Sequence, residues 1–239
     1  VSAKILIIDH NDSFTYNLAG LFESAEGRVR SVHVWSVENL RHKDLNECLA
    51  YDGVVLSAGP GLPEDYPAVT TLLNFLLSEK KGSKPPFIPV LGICLGLQTI
   101  VRYFGGRLYN LPHIQHGRQV ELLMKDTAST KSDNALEGKK TGLPPETNFF
   151  NGLTTPIKVG LYHSWGTDIQ CEVPELTVLA TAQLPNAEKE QRGGVVMAIS
   201  HESLPVWGCQ FHPESYMTPG GLQMILNWLS FIEVNKTRS

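Results

Sequence analysis

Short apolar runs alternate with helically spaced apolar positions over the first hundred residues. Residues 4–9 form a continuous apolar run ending at an acid, the pattern of a strand covered on both faces. Residues 13–26 follow, with Phe14, Leu18, Leu21 and Phe22 at helical spacing and Ser13 placed to cap them. Residues 28–37 alternate, with Val29, Val32, Val34 and Val37, and predict a second strand. A short helix over 44–50, a third strand over 53–56 and a helix over 67–77 come next. A fourth strand over 87–93 leads into a helix over 95–104. Strands and helices alternate in this way when helices cross over a parallel sheet.

The second half reads differently. Six short strand-like runs, at 107–111, 119–124, 158–163, 176–182, 195–201 and 206–211, are separated by turn residues. A last helix over 220–233 carries Leu222, Ile225, Leu226 and Leu229 on one face. The expectation is one α/β domain over residues 1–239. It has a single open sheet, mostly parallel, flanked by helices, with antiparallel strands added late in the chain. Two polar, unpatterned stretches, 78–86 and 125–147, read as surface insertions. Neither a repeat nor a low-complexity tract interrupts this order.

Composition narrows the function classes. The 239 residues are 42% hydrophobic and 18% charged, enough apolar side chain for a sizeable core. Mean hydropathy is −0.10. Twenty basic against twenty-four acidic residues give a formal charge of −4, so there is no net basic field to attract nucleic acid or anionic lipid. No apolar run reaches the roughly 20 residues of a membrane span, and Ile5 to Ile8 is too short for a secretion signal. Of the four cysteines (Cys48, Cys94, Cys171 and Cys209) none sits in a Cys-x-x-Cys pair or near metal-spaced histidines. Reduced thiols in the cytoplasm and no bound metal are the expectation.

One cysteine is different. Gly92-Ile93-Cys94-Leu95-Gly96 joins the fourth strand to a helix, the spacing of a nucleophile elbow. A sharp strand-to-helix turn crowds the backbone, so side chains at Gly92 or Gly96 would collide. The turn would lift the Cys94 sulfur above the sheet at a helix N-terminus, where the dipole favours thiolate. The Leu95 N–H would point where an oxyanion forms. A cysteine nucleophile needs a base, and the base needs an orienting partner. Gln210-Phe211-His212-Pro213-Glu214-Ser215 follows the last apolar strand and offers both. On an extended segment His212 and Glu214 lie on the same side, with Pro213 stiffening the chain between them. None of the other histidines has a comparable acid placed with a stiffening residue between. Ser57-Ala58-Gly59-Pro60-Gly61 closes the third strand at the sheet edge where open parallel sheets bind ligands.

Together these segments resemble the class I (triad) glutamine amidotransferases. The resemblance rests on Gly59-Pro60-Gly61, Gly92 to Gln98, Tyr162-His163-Ser164 and Gln210 to Ser215, in order along nearly the whole chain. Asp12-Ser13-Phe14-Thr15-Tyr16-Asn17, with His116-Gly117, is similar to the glutaminase component (component II) of anthranilate synthase and aminodeoxychorismate synthase. The resemblance implies a flavodoxin-like three-layer α/β fold. It also implies a Cys94–His212–Glu214 triad acting on the side-chain amide of L-glutamine. Leu95 with Gly59 or Gly61 would stabilise the oxyanion, and Pro60, Gln98, Ser164 and Trp165 would complete the glutamine site. The ammonia would pass to a chorismate-using synthase subunit, component I, which also carries the magnesium. No cofactor or metal is implied for this chain.

Two positions depart from the subgroup's pattern: Leu97 stands where His is most frequent, and Trp165 where Leu is common. Three readings remain at this point. The first is a glutaminase subunit supplying 4-amino-4-deoxychorismate in the p-aminobenzoate/folate branch. The second is the same role for anthranilate in the tryptophan branch, or in both. The third, from another class, is an inactive amidotransferase-like binding module.

Overall fold

A computed structural model describes residues 2–77, 87–125, 148–168, 173–184 and 194–237. The expected insertions at 78–86 and 125–147 lie outside the described residues, except Lys125, and so does Cys171.

Elements appear in the order β1 (Ala3–Asp9), α1 (Thr15–Glu23), β2 (Val29–Ser36), α2 (Val37–Leu40), β3 (Gly53–Leu56), α3 (Pro67–Leu77), β4 (Val90–Ile93) and α4 (Leu95–Tyr103). Then come β5 (Arg107–Glu121), β6 (Leu123–Met124), β7 (Lys158–Asp168), β8 (Leu176–Ala182), β9 (Val195–His201), β10 (Val206–Cys209) and α5 (Gly221–Thr237). The main sheet has eight strands in the order β2-β1-β3-β4-β10-β9-β8-β6. From β2 to β10 neighbours run parallel, and from β10 to β6 antiparallel.

The side-chain period of two explains why the central strands read as unbroken apolar runs. Ile5, Ile7, Val55, Leu91 and Ile93 face a core formed with Leu18 and Phe22 of α1 and Ile225, Trp228 and Leu229 of α5. Leu6, Ile8, Val54, Leu56 and Val90 face the opposite core, with Leu72 and Leu73 of α3 and Leu97 and Ile100 of α4. Each alternate position meets a helix, so no polar face is needed. The family difference at Leu97 has a simple setting here: its side chain is fully buried in that second core.

The structure corrects several expectations. The single sheet is two. The runs at 107–111 and 119–124 belong largely to one long strand, β5, which pairs with β7 as a separate antiparallel ribbon. Register shifts near Pro112 and at Gly117 (φ +66°) break the alternation, which is why one strand reads as two. Residues 44–50 form a 3-10 turn over Leu45–Ala50, and α2 follows β2 directly. Ser13 does not cap α1. That helix starts at Thr15, and Asp12 Oδ2 accepts from the Phe14 N–H instead. Phe14 does not join the core and is 37% exposed. On α5 the buried face is set by Met224, Ile225, Trp228 and Leu229, while Leu222 points outward.

Candidate active site

The parallel strands end on one edge, and the residues after them build the site. β1 lies between β2 and β3, so the chain leaves β1 in one direction and reaches β3 in the other. Crevices for ligands open outside the carboxyl ends of strands at such a point. His10 follows β1, Ser57–Gly61 follows β3, Cys94 follows β4 and His212 follows β10 by three residues.

Cys94 sits between β4 and α4 with φ +51°, a left-handed conformation unusual for a residue with a side chain. Its N–H donates to the Cys209 carbonyl at 2.8 Å, and its carbonyl accepts from Gln98 N at 3.1 Å. The turn closes only because its flanks are glycine. A Cβ on Gly92 would lie 2.5 Å from the Gly96 carbonyl carbon, and one on Gly96 would collide with the Leu56 carbonyl. Leu95 occupies the first helical position, whose N–H has no acceptor within the helix.

His212 and Glu214 are brought together by a turn, not by an extended segment as their spacing suggests. Ser215 N donates to the His212 carbonyl at 3.1 Å, and the two side chains meet at 2.7 Å through His212 Nδ1 and Glu214 Oε1. The pair is 3% and 1% exposed. His212 Nε2 makes no hydrogen bond among the described residues. Burial works against a charged His212. The neighbouring Cys94 sulfur and the Glu214 carboxylate outweigh it and hold its pKa well above 6.5. The ring is therefore inclined to hold a proton next to the sulfur.

A cavity of about 300 Å³ opens beside Cys94. Gly59, Pro60, Gly61, Leu95, Gln98, Ser164 and Trp165, all singled out from the sequence, line it together with Leu62, Tyr162 and His163. His212 and Glu214 are not in that lining. Gln98 is held by the protein itself: its Nε2 donates to the Trp165 carbonyl and to Gln210 Oε1, each at 3.2 Å. Trp165 thus enters the site partly through its backbone.

Some neighbours of the site have no role that the sequence reveals. Gln210, fully buried, donates from Nε2 to Cys94 Sγ at 3.4 Å. Tyr162 and Phe14 lay their rings against His212, at centroid distances of 5.0 and 6.1 Å. His163 donates from Nδ1 to the Trp165 carbonyl at 2.9 Å. Gln210 stands two residues before His212 in the same motif, and that adjacency is its only signal. The contacts of Tyr162 and Phe14 with His212 join separate segments, so no local spacing marks them.

The remaining described thiols are placed for packing. Burial pushes Cys48 up to about 11 and Cys209 well above its ordinary value. As for metal, Asp12, His212 and Glu214 form the only group among the described residues whose potential ligand atoms gather within 4.8 Å. The 2.7 Å hydrogen bond already commits His212 and Glu214 to each other.

The family model for the class I glutamine amidotransferases matches residues 6–231. The chain belongs to the class I glutamine amidotransferases. This amidotransferase is 35% identical over 231 residues to a Haemophilus influenzae protein provisionally named anthranilate synthase component II, covering 95% of this chain and 96% of that one. It is 33% identical over 235 residues to anthranilate synthase component 2 of Lactococcus lactis, with 98% of each chain covered. It is 34% identical over 233 residues to the aminodeoxychorismate synthase of Streptomyces griseus, covering 96% of this chain and 26% of that protein. A crystal structure from Thermoplasma acidophilum, of a protein provisionally described as a GMP synthase subunit, shares the fold. Its TM-score is 0.72 at 19% identity, over 100% of the amidotransferase and 98% of the other chain. No helix among the amidotransferase's described residues is long and apolar enough to cross a membrane.

Two buried histidines give the amidotransferase a pH dependence. Burial lowers both His10 and His163 from 6.5 to about 4. The unfolded chain therefore binds protons that the folded chain does not. The stability these neutral rings carry is complete above pH 6.5 and is lost as the pH falls toward 4. The loss at pH 5 is about 2 kcal/mol per ring. Urea unfolding at pH 7 and pH 5 should show it, with a smaller drop for the double variant His10→Asn/His163→Asn. Equal drops would exclude these two rings as the cause.

Proposed function

We propose that the chain hydrolyses L-glutamine through a glutamyl thioester on Cys94 and hands the ammonia to a chorismate-using synthase subunit. The observation that carries this reading is the cavity: Cys94 lines it, and so do all the residues expected to bind glutamine. Cys94 Sγ attacks the side-chain carboxamide carbon while His212 holds the thiol proton. The Leu95 N–H, with that of Gly59 or Gly61, receives the oxyanion. Each such donor is worth roughly 10²–10³ in rate. The tetrahedral intermediate collapses, His212 gives its proton to the departing amine, and ammonia leaves. Water then attacks the thioester carbon with His212 as base, releasing glutamate and restoring the thiol. Glu214 orients the imidazole throughout and offsets its charge. None of these steps requires a metal or cofactor from this chain, and none is proposed.

Exposed aromatic side chains on the segments that carry Phe14 and His212 support a docked partner. Phe14, Tyr16 and Tyr216 are 37%, 74% and 85% exposed, and Phe14 touches His212 directly. A partner covering these side chains would remove apolar surface from water and, at Phe14, close over the residue beside His212. The Streptomyces griseus relative fits this division of labour, because the match spans about a quarter of its length and leaves room for a synthase domain.

The acceptor we propose first is the one leading to 4-amino-4-deoxychorismate, on the Tyr162-His163-Ser164-Trp165 segment. Anthranilate is the second reading, favoured by the names of the Haemophilus and Lactococcus relatives. Product analysis with the co-purified synthase subunit, glutamine and chorismate tests both. 4-Amino-4-deoxychorismate supports the first and anthranilate the second. Neither product, with no glutamate released, would sink the glutaminase reading and leave the inactive binding module. The isolated chain should be a weak glutaminase, because the proposed partner covers exposed Phe14 beside His212 and orders the site.

A further inference from the structure

The loop bearing Gly59 and Gly61 has no helix or strand of its own between Ser57 and Leu62. Oxyanion donors help only if they are held in place before charge develops on the substrate. Two side chains outside the cavity lining hold this loop.

His10 holds its start. The His10 main-chain N–H donates to Ser57 Oγ at 3.0 Å, and the Ser57 hydroxyl donates to the Ala58 carbonyl at 2.6 Å. That donation uses the only hydroxyl proton. The 3.3 Å contact between His10 Nδ1 and Ser57 Oγ is then an Nδ1–H donating to the same oxygen. The ring is fully buried and its Nε2 has no partner among the described residues, as suits a neutral imidazole. Gly59 packs against the His10 backbone, and a Cβ there would collide with His10 Cβ and lie 2.7 Å from the His10 carbonyl oxygen.

Tyr66 holds the other end. Its hydroxyl donates to the Pro60 carbonyl at 2.8 Å, and its ring meets the His10 ring edge to face at 4.9 Å. Tyr66 is itself fixed by the 3-10 turn Pro63–Asp65, its N–H donating to the Pro63 carbonyl at 3.1 Å. Glu64 of that turn pairs with Arg102 of α4, the helix that begins at the nucleophile.

We infer that His10 and Tyr66 are positioning residues for the oxyanion-binding loop, acting through Ser57 and Pro60 without touching substrate. This rests on the glutaminase reading above. One contact is made before Gly59 and the other after it, so the Gly59 and Gly61 amides are aimed by a two-point brace. Loss of either contact leaves the nucleophile and the glutamine pocket in place and lets the donors drift.

The test is glutamine hydrolysis by the full chain with its co-purified synthase subunit, beside alkylation of Cys94 by iodoacetamide. Alkylation displaces iodide and forms no oxyanion, so it reports the nucleophile alone. Tyr66→Phe keeps the ring and removes one hydroxyl. It should lower kcat about 10- to 100-fold, short of or equal to losing one donor outright, with KM within about twofold. His10→Leu should do the same. His10→Asn can still present an amide N–H to Ser57 Oγ and should recover most of the rate. All three should alkylate at the wild-type rate. A wild-type kcat for Tyr66→Phe, a change in KM alone, or a parallel loss of alkylation would overturn the inference. A wild-type complex that releases no glutamate would overturn the glutaminase reading itself, which is a distinct result.

Discussion

Cys94→Ala is expected to abolish glutamine-dependent amination by the complex and to leave ammonia-dependent amination intact. Alanine removes the thiol that lines the cavity. The described alternatives, Cys48 and Cys209, are buried with their thiol pKa values raised, and neither lines the cavity. The loss in glutamine-dependent rate should be at least about 10⁴-fold, as for other nucleophiles that act as one unit with a base. In the proposed division of labour, the synthase subunit binds the acceptor, so ammonia added to the buffer would bypass this chain. Paired rate measurements with glutamine and with ammonium chloride check the prediction. A retained glutamine rate would refute the covalent mechanism. Loss of both rates would mean that the two halves of the reaction are not separable in this way.

Gly96→Ala should be among the most damaging single methyls in the described protein. Two effects oppose each other. Alanine in place of glycine inside a helix usually gains up to about 1 kcal/mol. Here the new Cβ would collide with the Leu56 carbonyl oxygen and lie 2.8 Å from Leu56 Cβ. Leu56 is fully buried at the end of β3, in the middle of the sheet, and cannot give way. Sterics win, and we expect a loss of roughly 3 kcal/mol or more, or no folded protein at all. Gly20→Ala is the control. It also sits in a helix, α1, but with nothing within 4 Å of the added carbon, so it should be neutral or slightly stabilising. Urea midpoints for the two variants decide the matter. A native midpoint for Gly96→Ala would mean that α4 does not press on β3 as described.

The same crowding explains why the elbow is legible in the sequence. A turn this tight must be written with glycine at Gly92 and Gly96, so the backbone's needs appear as residue identities. The parallel strands are legible for a related reason. Covered on both faces, they must be apolar at every position, and residues 4–9 and 53–56 are nearly so. The long strand β5 is not legible, because Pro112 and Gly117 interrupt its period while β7 still pairs with both halves. Ser13 looks like a cap, but Asp12 does the local bonding one residue earlier.

The site divides along similar lines. His212 and Glu214 can be paired from the sequence because two residues cannot separate them by much, whether by strand or turn. Gln210 beside the sulfur, Tyr162 and Phe14 against His212, and the His10–Tyr66 brace on the glycine loop cannot. Each of these contacts joins residues from different elements, so no local spacing encodes it. By itself the sequence determined the strand–helix alternation, the elbow at Cys94 and the residue types of the site, because local sterics and burial demand particular side chains. The tertiary structure alone decided how the separate segments meet: one cavity at the carboxyl edge of the sheet, a second ribbon carrying Tyr162 to Trp165, and the neighbours that set each charge. Those outcomes depend on strand order and packing, which bring together atoms that the chain keeps tens of residues apart.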